Sequence, residues 1–238
     1  MSAATVGEIW QFPVKGMAGS AIERAEIGLQ GIAGDRLYAF TRADRVTPFP
    51  WFTAREFAGL PGYAPSWEPD AEGKRQLVIR SPRGEQFRID EPRLSAELER
   101  LSGIPVRLHA DYRGNHDVAQ VSIISRATID AICSAAGVRP DVRRFRMNLV
   151  LEGPGAFEED RWVGQFVAVG TARLAVVARD ERCVVTTLDP AGSGERAPGV
   201  LTSAGALNGA CAGVYAVVVQ PGEVTVGERV VALGEALV

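Results

Sequence analysis

Apolar and polar positions in this chain alternate with a period of two over many short stretches, and only twice settle into a helical period. Residues 6–14 read as a first strand, and 22–29 alternate as a half-buried strand should. Two glycines, Gly31 and Gly34, precede a strand at 37–41. Residues 77–80 and 86–89 flank Ser81-Pro-Arg-Gly84, a hairpin signal. Pro48-Phe-Pro50 breaks regularity ahead of a short helical turn at 54–57. Farther on, 147–151, 166–169, 174–178, 214–219 and 229–233 are strand-like, and Val184-Val185 reads as the start of another strand.

Two helices stand out. Asp90 is placed to cap the first, Pro92 sits in its opening turn, Leu94, Leu98 and Leu101 mark one face, and Gly103 stops it. Ser125 is placed to cap the second, where Ile129, Ile132, Cys133 and Ala136 fall at i, i+3, i+4 and i+7 before Gly137. That spacing makes Cys133 core packing. Short strands at irregular spacing with glycine-rich turns predict a mainly β (α+β) chain built on a barrel or barrel-like sheet, not alternating βαβ units.

A length of 238 residues suits one large domain or two small ones with ample core. The 46% apolar and 23% charged content is that of an ordinary globular protein, and a net charge of −3 points to neither nucleic acid nor an acidic membrane surface. No apolar run is long enough for a membrane-spanning helix, and the N-terminus lacks the basic-then-apolar order of a signal peptide. Three scattered cysteines make neither a disulfide framework nor a Cys-x-x-Cys zinc site, and two histidines, His109 and His116, argue against a His-based metal site. A cytoplasmic protein is expected.

Of the 26 basic residues only Lys15 and Lys74 are lysine. Lys74 lies in a polar turn and reads as a solvated charge. Lys15 follows an apolar strand and Pro13 and precedes Gly16, which marks it for attention. Cys183 is more telling still. Free cysteines are commonly buried and inert, but this one stands in Asp180-Glu-Arg-Cys183-Val-Val-Thr-Thr-Leu-Asp189, poor material for a core. Thiolate attacks electrophiles and binds soft metals, and an adjacent cation such as Arg182 favours it.

Several segments, taken in order, resemble one family. Gln11-Phe-Pro-Val-Lys15-Gly, Gly31-Ile-Ala-Gly-Asp35-Arg36 and Thr53-Ala-Arg55-Glu are similar to the N-terminal β-barrel region of MOSC proteins, the molybdenum cofactor sulfurase C-terminal superfamily. Arg144-Phe-Arg146-Met-Asn148, Ala156-Phe-Glu-Glu159-Asp160-Arg-Trp162, Arg182-Cys183 to Pro190 and Gly227-Glu-Arg-Val-Val resemble the MOSC domain itself. The resemblance implies a MOSC-type β-barrel core with an N-terminal β-barrel-like domain and a few short helices, divided as 1–105 and 106–238. It also implies a molybdenum cofactor (molybdopterin) ligated by Cys183, with Lys15 and Arg36 meeting its phosphate. Arg146 and Asn148 would bond the cofactor, Asp117 would accept from pterin N–H groups, and Arg182 would favour the thiolate.

The implied activity is that of an oxidoreductase reducing N-hydroxylated or related N-oxygenated small molecules, as in relatives such as the amidoxime reducing components. No ferredoxin-type cysteine cluster is present, so electrons must come from a separate donor protein, a ferredoxin or a flavin or haem reductase. Two other readings remain: a non-catalytic carrier of cofactor or sulfur using Cys183 as thiolate or persulfide, and a pyridoxal phosphate protein with Lys15 as Schiff base. A degenerate binding domain is the last option. Glu159, Asp160, Trp162 and His116 read as structural, and Cys211 as a packed residue at a glycine-rich bend. Met147 replaces the proline of the family's "FRPN" and is expected to loosen that turn. Asp180 stands where the nearest reductases have a further cysteine, and Gly16 where some relatives have a serine.

Overall fold

The computed structural model describes residues 4–44, 46 and 49–236. Pro48, expected to break regularity, lies outside them, as do the first three residues of the N-terminal segment. The chain begins with strands β1 (Ala4–Gln11), β2 (Ser20–Ile22), β3 (Arg24–Gly28), β4 (Gly31–Ile32), β5 (Tyr38–Arg42) and β6 (Trp51–Phe52). A meander of β7 (Ala64–Pro69), β8 (Arg75–Arg80) and β9 (Gln86–Arg88) leads into helix α1 (Pro92–Ser102) and strand β10 (Val106–Ala110). Then come β11 (Val121–Ser125), α2 (Arg126–Ala135), β12 (Leu149–Glu152), β13 (Gln165–Val169) and β14 (Ala172–Glu181). Helix α3 (Gly199–Asn208) and strands β15 (Cys211–Gln220), β16 (Gly222–Thr225) and β17 (Arg229–Ala236) complete the described chain.

Seven strands close into a barrel in the order β12, β11, β15, β14, β13, β17, β1, with β1 pairing back onto β12. Every neighbouring pair is antiparallel except β11 with β12, whose parallel register needs a crossover that α2 provides. β11 is buried at every position because Val121 and Ile123 enter the barrel core while Ile124 faces the packing around α2. In β1 the inward residues are Ala4, Val6 and Ile9, and the register shift between Val6 and Glu8 accounts for the broken alternation. The mainly β barrel expected from the strand pattern is present, with three α-helices among the described residues. No helix among those residues is long and apolar enough to cross a membrane.

Two further cores flank the barrel. One, drawn from residues between Val14 and Leu108, gathers Phe40, Phe52, Leu60, Tyr63, Ile79 and Leu94 between the β10-β5-β6 and β7-β8-β9 sheets and α1. The other packs α2 and α3 together through Ile129, Ile132, Cys133, Val200 and Ala204. Cys133 is fully buried, as its helical spacing requires. The barrel draws on both sides of the 105/106 boundary: β1 is one of its staves, β3 pairs with β16, and Ala25, Ile27 and Ile32 join its core.

Ser125 caps α2 by accepting from Thr128 N at 3.1 Å, as expected. In α1 the cap position falls on Glu91, not Asp90, whose carboxylate is held by Arg88 at 3.1 and 2.7 Å. Pro92 at the first helical position sets the start instead. The strand expected at Val184-Val185 is a 3-10 turn, Val184–Thr187. The hydroxyls of Thr186 and Thr187 donate to the carbonyls of Cys183 (2.8 Å) and Val184 (2.7 Å), competing with any sheet pairing. The short helical turn expected at 54–57 is present as a single turn closed by Phe57 N donating to Thr53 O at 3.1 Å, and the strand expected over 22–29 breaks at Glu23. Helix α3 has no side-chain cap and two glycines, and was not legible from the pattern.

Candidate functional site

The strand expected to run to residue 14 stops at Gln11 because buried Asp35 takes over the backbone beyond it. Phe12 N donates to Asp35 Oδ1 at 2.6 Å, and Lys15 N donates to Tyr38 O at 2.8 Å. The turn carries Lys15 inward to 6% exposure. Its Nζ donates to Asn115 O (2.8 Å) and Asp117 Oδ1 (2.7 Å), and lies 5.5 Å from the centre of the Trp51 ring. Burial pushes the Lys15 ammonium below its usual value despite Asp117. Burial works to raise the Asp117 carboxyl, but Lys15, then Arg36 and Arg55, hold it below the usual carboxylate range.

Arg36 and Arg146 stand next to this pair. Arg36 forms an ion pair with Asp35 and donates to Asn148 Oδ1 (3.3 Å) and Arg146 O (3.0 Å). Arg146 donates to Met17 O at 2.6 Å, and both guanidinium groups lie against the Phe12 ring, at 5.0 and 4.6 Å from its centre. Burial, with Arg36 alongside, pushes Arg146 down to about 9, which leaves it protonated at neutral pH. Both arginines have left-handed backbones, φ 47° and 55°. Asn148 is 1% exposed and fully engaged: Oδ1 accepts from Ser122 N (3.2 Å) and Oγ (2.9 Å), and Nδ2 donates to Trp10 O (3.1 Å). It therefore ties β1 to β11 and β12 while presenting one lone pair to Arg36.

Cys183 lies just past the end of β14, at the N-cap position of the 3-10 turn, half-buried. The cation that meets its side chain comes from elsewhere in the sequence. Arg55 stands close enough to the Cys183 side chain for the interaction to raise the guanidinium above its usual value. A Thr53–Glu56 pair fixes the Arg55 backbone: Glu56 Oε2 accepts from Thr53 N and Oγ1, both at 2.9 Å, and Arg55 N donates to Thr53 Oγ1 at 3.2 Å. Arg182, expected beside the thiol, directs its guanidinium to Asp180, to Phe145 O (2.6 Å) and to Met147 Sδ (3.5 Å). Burial pushes the Asp180 carboxyl up against the pull of Arg182, and burial with Asp180 pushes the Tyr215 hydroxyl up. Met147 is 2% exposed and packs into the core around α2 and α3.

The structure thus gathers Lys15, Arg36, Asp117, Arg146 and Asn148, and sets Arg182 beneath them. Sequence reasoning left out Arg55, Asn115, Phe12 and Tyr215. For Arg55 a signal existed, since Thr53-x-x-Glu56 is a capping pattern that pins the residue between them. Lys15, Arg36, Arg55, Arg146 and Arg182 face the carboxylates of Asp35, Asp117 and Asp180. Three cations are ion-paired and two, Arg55 and Arg146, have no carboxylate ion pair among the described residues, leaving the site with a surplus positive charge. No cluster of three His, Cys, Asp or Glu side chains suited to caging a metal occurs among the described residues. His116 contacts Gln30 O at 3.1 Å and Cys211 stands in β15, opposite Glu181.

A model of the MOSC domain family matches residues 111–231. Mitochondrial amidoxime reducing component 2 of Bos taurus is 23% identical over 230 residues, covering 78% of this chain and 67% of its own. Mitochondrial amidoxime-reducing component 1 of Mus musculus is 30% identical over 131 residues, covering 50% of this chain and 38% of that protein. The chain therefore spans well under half the length of the mouse relative. Among solved structures, the YUAD protein of Bacillus subtilis superposes with a TM-score of 0.51 at 13% identity, over 97% of this chain and 94% of that one, a likeness of fold.

Proposed function

Because the chain belongs to the MOSC domain family, we propose that the Cys183 pocket holds a molybdenum cofactor and that the protein is an oxidoreductase for N-hydroxylated or related N-oxygenated small molecules. The residues present fit such a group. A phosphomonoester carries close to two negative charges, and of the five cations at the site Arg55 and Arg146 have no carboxylate ion pair among the described residues. The half-exposed Asp117 offers acceptor oxygens to ring N–H groups. With no protein cage of three or more ligands among the described residues, Cys183 would be the single protein thiolate on a metal held otherwise by sulfur of the cofactor.

The cofactor, when bound, supplies two-electron chemistry at the metal. The protein's part is placement. Asn148 and Asp35 fix Arg36, Lys15 is held by Asn115 and Asp117, and Arg55 stands beside Cys183. Residues 1–105, read as the N-terminal domain, give Lys15, Arg36 and Arg55, while the MOSC domain at 106–238 gives Asp117, Arg146, Asn148 and Cys183. Electrons would come from a separate donor, a ferredoxin or a flavin or haem reductase. Three free cysteines suit a reducing, cytoplasmic setting.

The observation that carries the reading is the convergence of Cys183 with Arg55 in a site where five cations face three carboxylates. The test is molybdenum analysis of protein made in a cofactor-competent host, beside Cys183→Ala. Near-stoichiometric metal in the parent and its loss in the variant support the reading. No metal in either, with a loaded control from the same host, overturns it.

A further inference from the structure

Away from the thiol, a cleft of about 230 Å³ opens between the turn after β1, the start of β7 and the segment that follows Cys183. Much of its wall is apolar: Phe12, Pro61, Val185, Leu188 and Pro190. The rest carries charge of one predominant sign, from Arg143, Arg144 and Arg146 against Asp189 alone. The partners of these four groups decide what the cleft can hold.

Asp189 is engaged by its own turn, accepting from Ala191 N (3.2 Å) and Ser193 N (3.3 Å). Arg143 is matched by Asp141, with contacts at 3.0 and 2.6 Å. Arg144 and Arg146 form no carboxylate ion pair among the described residues. Arg144 donates to Leu188 O at 2.7 Å, yet its Nε is buried without any partner. A buried charged donor left unmet is costly and calls for an explanation. Arg146 is held in a strained backbone beside a second arginine, Arg36.

We propose that this cleft is a binding site for a small organic carboxylate with a flat apolar body. The carboxylate faces Arg144 and Arg146, and the body lies against Phe12, Val185 and Leu188. Guanidinium groups recognise planar carboxylates through paired hydrogen bonds, and the apolar walls distinguish the site from one for a bare inorganic anion. The volume lies below the range usual for drug-sized ligands and matches a single-ring acid. Val185 is two residues from Cys183, so the acid would bind beside the thiol pocket without entering it. The site needs no metal, and in the metal-free chain its Arg146 is not shared with a cofactor phosphate.

Benzoate titrated into the metal-free full chain, followed by amide NMR shifts, tests the proposal, with benzamide and inorganic phosphate as controls. Saturable shifts around Ala18 and Leu188 are expected for benzoate, with Kd near about 1 mM, and none for benzamide. Arg144→Gln should weaken binding by about tenfold or more. Ala64→Phe, a change at an exposed wall position that leaves every arginine in place, should also abolish it and decides the matter if Arg144→Gln does not fold. Equal binding of benzamide, phosphate binding as tight as benzoate, or unchanged benzoate affinity in a folded Arg144→Gln would overturn the proposal. So would the absence of any saturable shift at about 10 mM benzoate. Because the readout is made without metal, its outcome is independent of whether molybdenum binds at Cys183.

Discussion

Arg36 and Arg146 lie 110 residues apart and are joined by a hydrogen bond from the Arg36 guanidinium to the Arg146 carbonyl at 3.0 Å. Both have left-handed backbones, and they make up two of the four non-glycine residues with positive φ among those described. The conformation costs an L-residue about 1–2 kcal/mol, and such strain gathers at ligand clamps. Arg146→Gly is therefore expected to be more stable than Arg146→Ala by about 1 kcal/mol in urea unfolding, the reverse of the order in regular helix or strand. Equal stabilities would show that the backbone relaxes once the side chain is gone.

The Lys15–Asp117 pair sets a pH dependence. Lys15 is buried and the Asp117 side chain is 54% exposed. Asp117→Asn should cost about 1–2 kcal/mol at neutral pH, allowing for solvent screening. In the folded chain Asp117 titrates below its ordinary 3.8, so the unfolded chain takes up that proton first as pH falls. Its contribution is complete above 3.8 and is lost as pH drops through the lower folded value. Parent and variant stabilities should converge in that acid window. Lys15 titrates below its ordinary 10.5, so stability rises with pH between the folded value and 10.5. Without Asp117 that rise should begin at lower pH, which urea titrations across the alkaline range would detect.

The three thiols should separate by accessibility. Cys133 is fully buried, and burial pushes its thiol up. Cys211 is half-buried and also pushed up by burial. Mass spectrometry after brief iodoacetamide treatment of the native protein should find Cys183 modified first, Cys211 more slowly, and Cys133 only after unfolding. Modification of Cys211 ahead of Cys183 would contradict the placement of the thiol beside Arg55.

Gly192 fastens the segment that follows Cys183 to the flanking core. Its φ is +79°, and a Cβ there would lie 2.3 Å from Gly62 N. Gly192→Ala should destabilise the protein by about 1–3 kcal/mol and expose residues 189–197 to limited proteolysis. An unchanged digestion pattern would show that the segment is held by its other contacts.

The barrel strands were legible because each is short, apolar on at least one face and bounded by turn residues. Their closure was not, since nothing local to β1 names β12 and β17 as partners. Cys183 and Lys15 stood out by residue type against their surroundings, and Arg36 only by its place in the MOSC-like segment 31–36. Arg55 did not, because its contact with Cys183 depends on the second core setting the Thr53–Glu56 turn against the end of β14. Val184 and Val185 misled through strand propensity, which the Thr186 and Thr187 hydroxyls override. Helix α3 owes its existence to Val200 and Ala204 packing on α2, a tertiary effect that no capping residue announces.

The pairing of Ala4 with Val230 and Thr5 with Arg229 has a consequence in time. During synthesis β1 emerges first, meets β12 only after residue 149, and gains β17 only after residue 229. At about 5–20 residues per second, its last ladder waits roughly 10–45 s. The core between Val14 and Leu108 has shorter loops to close and is expected to form earlier, with refolding hydrogen exchange protecting its strands ahead of residues 4–11. Lys15 and Arg55 would then be in place before the Asp117 and Cys183 they meet, and the site would come into being at the moment the barrel shuts.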